Sequence, residues 1–152
     1  MKLALASITL TAMLAVPFAA QAQAQFTKPE DAVKYRQAAF TLLGAHTGRV
    51  GAVVKGEKPY DKAAVEADVA VMEMVAKLPW TAFPQGSDMA NSKAKPEIWK
   101  EQDKFKAAAD KMQGEIGKLS TAAKSGDLNA IKTAFGAVGQ SCKACHDNYR
   151  NK

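Results

Sequence analysis

Apolar residues recur along most of this chain at steps of three and four, the spacing of one face of an α-helix. From Val33 the stripe continues through Phe40, Leu43, Val50 and Val54, with Ala39 and Leu42 widening it. Just ahead, Thr27-Lys28-Pro29-Glu30 has the form of a capping box with proline in the first turn, and Gly56 then Pro59 close the segment. Asp61 is placed to cap a second helix, which turns Val65, Val69, Met72 and Val75 or Ala76 one way until Pro79 ends it. A third helix starts near Pro96 and aligns Ile98, Phe105, Met112, Ile116 and Leu119. Ser125-Gly126-Asp127 then pairs a C′ glycine with an N-cap, a tight helix-to-helix turn. The fourth helix carries Leu128, Ile131, Phe135, Val138, Cys142, Cys145 and Tyr149 as an a/d seam lasting three heptads.

No period-two alternation, Asn-Gly hairpin or internal repeat interrupts this pattern, so the fold class is all-α. Four helices with short, long and short connections predict an antiparallel four-helix bundle. The long connection, residues 79–96, holds Pro79, Pro84, Pro96 and Gly86 beside Trp80 and Phe83. Its aromatic residues mark it as a packed crossover or lid. The helices are rich in alanine, so their shared core is thin in side-chain bulk and leaves room for something else to fill it.

The N-terminus is of another kind. Lys2 precedes an apolar run from Leu3 to Ala20, followed by the overlapping signals Ala20-Gln21-Ala22 and Ala22-Gln23-Ala24. Residues 1–24 therefore read as a cleaved secretory signal peptide, with cleavage before Gln25. An uncleaved anchor is the alternative, which Pro17 and the small residues at the boundary disfavour. Residues 25–152 then form a single exported domain with 20 basic against 15 acidic side chains, a net charge of +5, and no further membrane-spanning run. That charge is a mild bias toward acidic partners and no sign of nucleic-acid binding. Charged residues at 24% and hydrophobic residues at 47% exclude a disordered or collagenous chain. Two cysteines are too few for a disulfide scaffold, and two histidines leave little room for a metal centre built from side chains alone. No nucleophile triad, glycine-rich phosphate loop or paired acid and base argues for a conventional enzyme.

The chemistry lies in Cys142-Lys143-Ala144-Cys145-His146, the attachment motif of c-type haem. On a helix, residues three and four apart are neighbours, so both sulfurs face one side, where each can add to one haem vinyl group. His146 follows directly and can reach the iron from the same side. Both cysteines occupy seam positions, so the porphyrin stands against the bundle interior. An i, i+3 disulfide closes a trivial loop with awkward geometry. A thioredoxin-like pair needs an α/β context, and a zinc site from Cys142, Cys145, His146 and His46 lacks ligand spacing. A sixth iron ligand would come from Met72, Met74, Met89, Met112 or His46. Met72 and Met112 fit core stripes, and His46 reads as a partly buried or interfacial histidine.

Phe26-Thr27-Lys28-Pro29-Glu30-Asp31-Ala32-Val33-Lys34-Tyr35-Arg36-Gln37, Ala45-His46, Pro79-Trp80, Pro96-Glu97-Ile98-Trp99 and Ser141 to Asp147 resemble the cytochrome c prime family over the whole mature chain. The resemblance implies a periplasmic homodimer of four-helix bundles, each chain holding one covalently bound haem c with high-spin, five-coordinate iron. His146 would be the only protein ligand to the metal. Phe40 would cover the distal position, where leucine is common in relatives. Arg36 would lie near a haem propionate, Arg150 on the proximal side, and Trp80 near the haem edge. The implied function is binding of small diatomic gases, NO foremost and CO as well, with electron transfer to an unidentified redox partner as the alternative. NO sometimes ends on the proximal face in this family, after displacing the histidine.

Overall fold

A computed structural model describes residues 25–152 apart from Ala90; the signal-peptide expectation for residues 1–24 lies outside the described residues. The elements are α1 (Pro29–Val54), α2 (Lys62–Val75), a 3₁₀ turn (Pro79–Ala82), α3 (Glu97–Lys100), α4 (Gln102–Ser125) and α5 (Leu128–Tyr149). Among the described residues the only β pairing is an isolated antiparallel bridge between Ala94 and Arg150. The all-α expectation holds, and the four long helices form the bundle.

Local chemistry explains most boundaries. Asp61 caps α2 by accepting from the Ala64 N–H at 3.2 Å, and Asp127 caps α5 by accepting from the Asn129 N–H at 2.8 Å. Gly126 ends α4 with φ of 77°, a left-handed conformation that costs glycine nothing. Two expectations are corrected. The capping box at Thr27 does not form: the N-cap of α1 is Lys28, in extended backbone with no side-chain cap. There Pro29 starts the helix, and Glu30 and Asp31 complement the positive end of its dipole. The third predicted helix is two pieces, because the chain leaves helical geometry at Glu101 (φ −124°, ψ 48°). The single turn α3 is held apart by its own anchors. Ile98 is buried, and the Trp99 indole N–H donates to the Phe83 and Pro84 carbonyls, each at 3.0 Å.

In the bundle α1 packs on α2, α2 on α4 and α4 on α5, while α5 meets α1 only sparingly. Val50, Val65, Val69, Met72, Ile116, Leu119, Ile131 and Val138 form the buried core. One close approach of α1 to α5 is at Gly51, where a Cβ would lie 3.1 Å from the Phe135 ring. Absence of a side chain at 51 admits that ring and brings the two helices together at this end.

Ile131 is fully buried and Met74 is 64% exposed. Chemical unfolding followed by circular dichroism should show Ile131→Ala destabilising the protein by about 2–5 kcal/mol. Met74→Ala should change stability by no more than about 0.5 kcal/mol.

Candidate functional site

Cys142 and Cys145 lie one turn apart near the end of α5, both unpaired and both half-buried. Cys142 packs against the core, as its seam position required. Burial pushes both thiols above the ordinary cysteine value, and for Cys145 the neighbouring Cys142 adds to the rise. His146 faces outward from the same turn. Desolvation and the Arg150 guanidinium lower its pKa against the pull of Asp147, which favours the neutral, metal-ligating imidazole. Arg150 is one turn beyond His146 and donates its backbone N–H to the His146 carbonyl at 3.1 Å. Lys143 and Asp147 pair on the outer face of this turn.

Helix α1 supplies the opposite wall. Phe40 lies eleven residues before Gly51, and His146 lies eleven residues after Phe135. Since α1 and α5 are antiparallel and touch at Gly51 and Phe135, Phe40 and His146 both stand about 16 Å along the axis from that contact. The two sit at one height on facing helices. Phe40 is half-buried and packs edge-on to Trp80, with ring centroids 5.8 Å apart. Trp80 meets Phe105 at 5.7 Å, and Phe105 meets both Phe83 at 5.0 Å and Tyr149 at 5.2 Å. Apolar rings from α1, the crossover, α4 and α5 therefore gather around the end of the bundle that carries the two thiols.

The crossover is fastened to this end at two places. Arg36, on α1, is 3% exposed and binds the crossover at Ala82, Ser87 and Ser92. Near the C-terminus, the Lys95 N–H donates to the Tyr149 carbonyl at 3.0 Å and the Asn151 N–H to the Lys93 carbonyl at 2.8 Å. A cavity of about 490 Å³ opens here, lined by Lys93, Lys95, His146, Asp147, Arg150, Asn151 and Lys152, so its mouth is cationic.

The other candidates fall elsewhere. Met72 and Met112 are core residues, Met74 faces solvent, and Met89 lies half-buried in the crossover. His46 Nδ1 lies 2.6 Å from Asp68 Oδ1 on α2, which occupies that ring. Sequence reasoning took Phe105 and Tyr149 for core stripe alone, and it gave no role to Ser87 or Ser92. Stripe spacing says that a ring faces inward; it does not say which rings meet.

These residues fit a covalently attached haem. Two free thiols share one face beside an imidazole held toward its neutral form, and a wall of rings stands at the same height. Every buried side-chain nitrogen or oxygen among the described residues has a partner, so no stranded polar group opposes an apolar macrocycle.

The family model described as Cytochrome C' matches residues 31–150. The cytochrome c' of Alcaligenes xylosoxydans xylosoxydans is 52% identical over 128 residues, which cover 84% of this chain and 99% of the relative. That of Rubrivivax gelatinosus is 45% identical over 129 residues, covering 84% and 100%. The solved Rubrivivax structure matches with a TM-score of 0.80 at 44% identity, over 84% of this chain and all of that one. A nitric oxide complex of a variant cytochrome c prime from Alcaligenes xylosoxidans matches with a TM-score of 0.79 at 52% identity, covering 84% and 99%.

The pairing of residues 93–95 with the C-terminal segment is open to a direct test. Arg150 has φ of −125° and ψ of 129°, a backbone that tolerates a following proline. Asn151→Pro removes the donor to Lys93 and should cost at least about 0.5–1.5 kcal/mol in denaturant unfolding. Asn151→Ala keeps the N–H and should be neutral.

Proposed function

This chain belongs to the cytochrome c′ family, and on that premise we propose that it is an exported, periplasmic haem c protein that binds diatomic gases, NO foremost, at five-coordinate iron. Its bundle is of the up-down-up-down kind, for which cytochrome c′ is itself a standard example. Cys142 and Cys145 would hold one haem through two thioethers, and His146 would be the single protein ligand to the iron. Bound there, the haem supplies a metal position open to a small ligand.

The observation that carries this reading is the placing of Phe40 level with His146 on the facing helix. A phenyl ring offers neither a ligand nor a hydrogen-bond donor. Trp80 is engaged as well, its indole N–H donating to the Ala76 carbonyl at 2.6 Å. Dioxygen, which gains from a polar donor when bound, finds none in Phe40; NO binds ferrous haem strongly without one. The same ring stands where a peroxidase would need a histidine or arginine, so the protein acts as a binder and not as an enzyme. Arg150, beside His146, lines the proximal side. Structures of variants of the Alcaligenes protein bound to NO and to CO support the choice of ligands. Among the described residues no helix is long and apolar enough to cross a membrane, which is compatible with an exported domain. The functional unit is a homodimer by analogy with the family.

Electron transfer is the second reading. It is favoured by the cationic side chains of Lys93, Lys95, Arg150 and Lys152 around the cavity beside His146, a surface suited to an acidic redox partner. A deletion strain that is sensitive to NO but normal in respiratory flux favours gas binding; the reverse favours the relay.

Two outcomes follow for the purified holoprotein. Its ferric absorption spectrum should be high-spin at neutral pH, and a low-spin spectrum with a methionine-to-iron charge-transfer band would overturn five-coordination. Phe40→Ala should speed CO association by about tenfold, equal to about 1.4 kcal/mol off the entry barrier, in flash photolysis.

A further inference from the structure

Arg36 reaches across to the crossover with both terminal nitrogens. Nη1 donates to the Ala82 carbonyl at 2.7 Å and to Ser87 Oγ at 2.8 Å. Nη2 donates to the Ser87 carbonyl at 2.5 Å and to Ser92 Oγ at 2.8 Å. Those four bonds use every N–H of the two terminal nitrogens, leaving only Nε–H. All four acceptors are neutral oxygens. The guanidinium carbon also lies 4.5 Å from the centre of the Phe83 ring, a cation–π contact. Ser87 is completely buried, and its hydroxyl donates a hydrogen bond to the Pro84 carbonyl at 2.8 Å. One side chain of α1 thus gathers three stations of the crossover, at 82, 87 and 92.

The rings beneath this anchor are continuous. Phe83, held under the guanidinium, packs on Phe105; Phe105 packs on Trp80, and Trp80 on Phe40. We propose that Arg36 is a positioning residue which locks the crossover onto α1 and so fixes the aromatic wall behind Phe40, setting the size of ligand that the distal side admits. This rests on the gas-binding reading above. A propionate of the haem has only Nε–H to address unless one of the four bonds breaks. The four terminal N–H bonds act on the site through the backing of Phe40, leaving Nε–H free for a propionate, and a lysine, with one nitrogen, cannot reproduce the fork.

The test compares wild type, Arg36→Gln and the milder Ser87→Ala, which removes one acceptor of the guanidinium and the hydroxyl donor to Pro84 while adding no bulk. Hydrogen exchange on each holoprotein reads the crossover amides of Ser87 and Ser92, which donate to the Pro84 and Met89 carbonyls. Their exchange should quicken by about tenfold in Arg36→Gln, and in the same direction but less in Ser87→Ala, with amides in the middle of α2 and α4 unchanged. Flash photolysis then gives the association rates of CO and of a bulky alkyl isocyanide. The isocyanide-to-CO rate ratio should rise about fivefold in Arg36→Gln, a change that general loss of stability would not produce. Unchanged crossover exchange, or an unchanged ratio, overturns the proposal. So does a variant whose only change is a new pH dependence of the reduction potential, which would assign Arg36 to a propionate. Because the exchange result needs no gas, the lock is judged even if the gas-binding reading fails.

Discussion

Everything at the functional end of this molecule depends on how α1 and α5 are spaced. A glycine at 51 lets the Phe135 ring come against the α1 backbone, and the two helices have little further contact along their length. The two thiols, the imidazole and Phe40 lie well beyond that meeting point, where rings from four segments line the interior. The wall is made chiefly of half-buried aromatic side chains, which are stiff and apolar. Such a lining suits a flat apolar macrocycle.

The crossover turns this gap into a defined site. Segments of this length without regular structure are costly to order, and they stay ordered when tied at several points. Here the ties come from two directions: from α1 through Arg36, and from the C-terminal segment through residues 93–95. Its apolar residues, Trp80 and Phe83, are thereby presented inward, while Lys93 and Lys95 edge the outer cavity beside His146. One connection thus sets the polarity of both the inner and the outer surface.

Much of this was legible in the sequence because it follows from periodicity and covalent chemistry. The bundle follows from four stripes, the turn at 125–127 from a glycine and an aspartate, and the haem motif from cysteine spacing with an adjacent histidine. The misjudged capping box at Thr27 and the break at Glu101 share one cause: local patterns compete with tertiary anchors. In the second case the Trp99 indole and buried Ile98 fix α3 against the crossover. The partners of Arg36 were illegible for a different reason. They lie 46 to 56 residues away in a stretch without periodicity, where no helical or strand register says which serine comes home.

The close contact at Gly51 has a mechanical consequence. A joint near one end of a pair of rods acts as a fulcrum, and displacement grows with distance from it. With Phe40 and His146 about 16 Å out, a swing of a few degrees changes their separation by roughly an ångström. Bending at this contact thus widens or narrows the space between Phe40 and the turn that carries His146, and a glycine about 16 Å away sets its leverage.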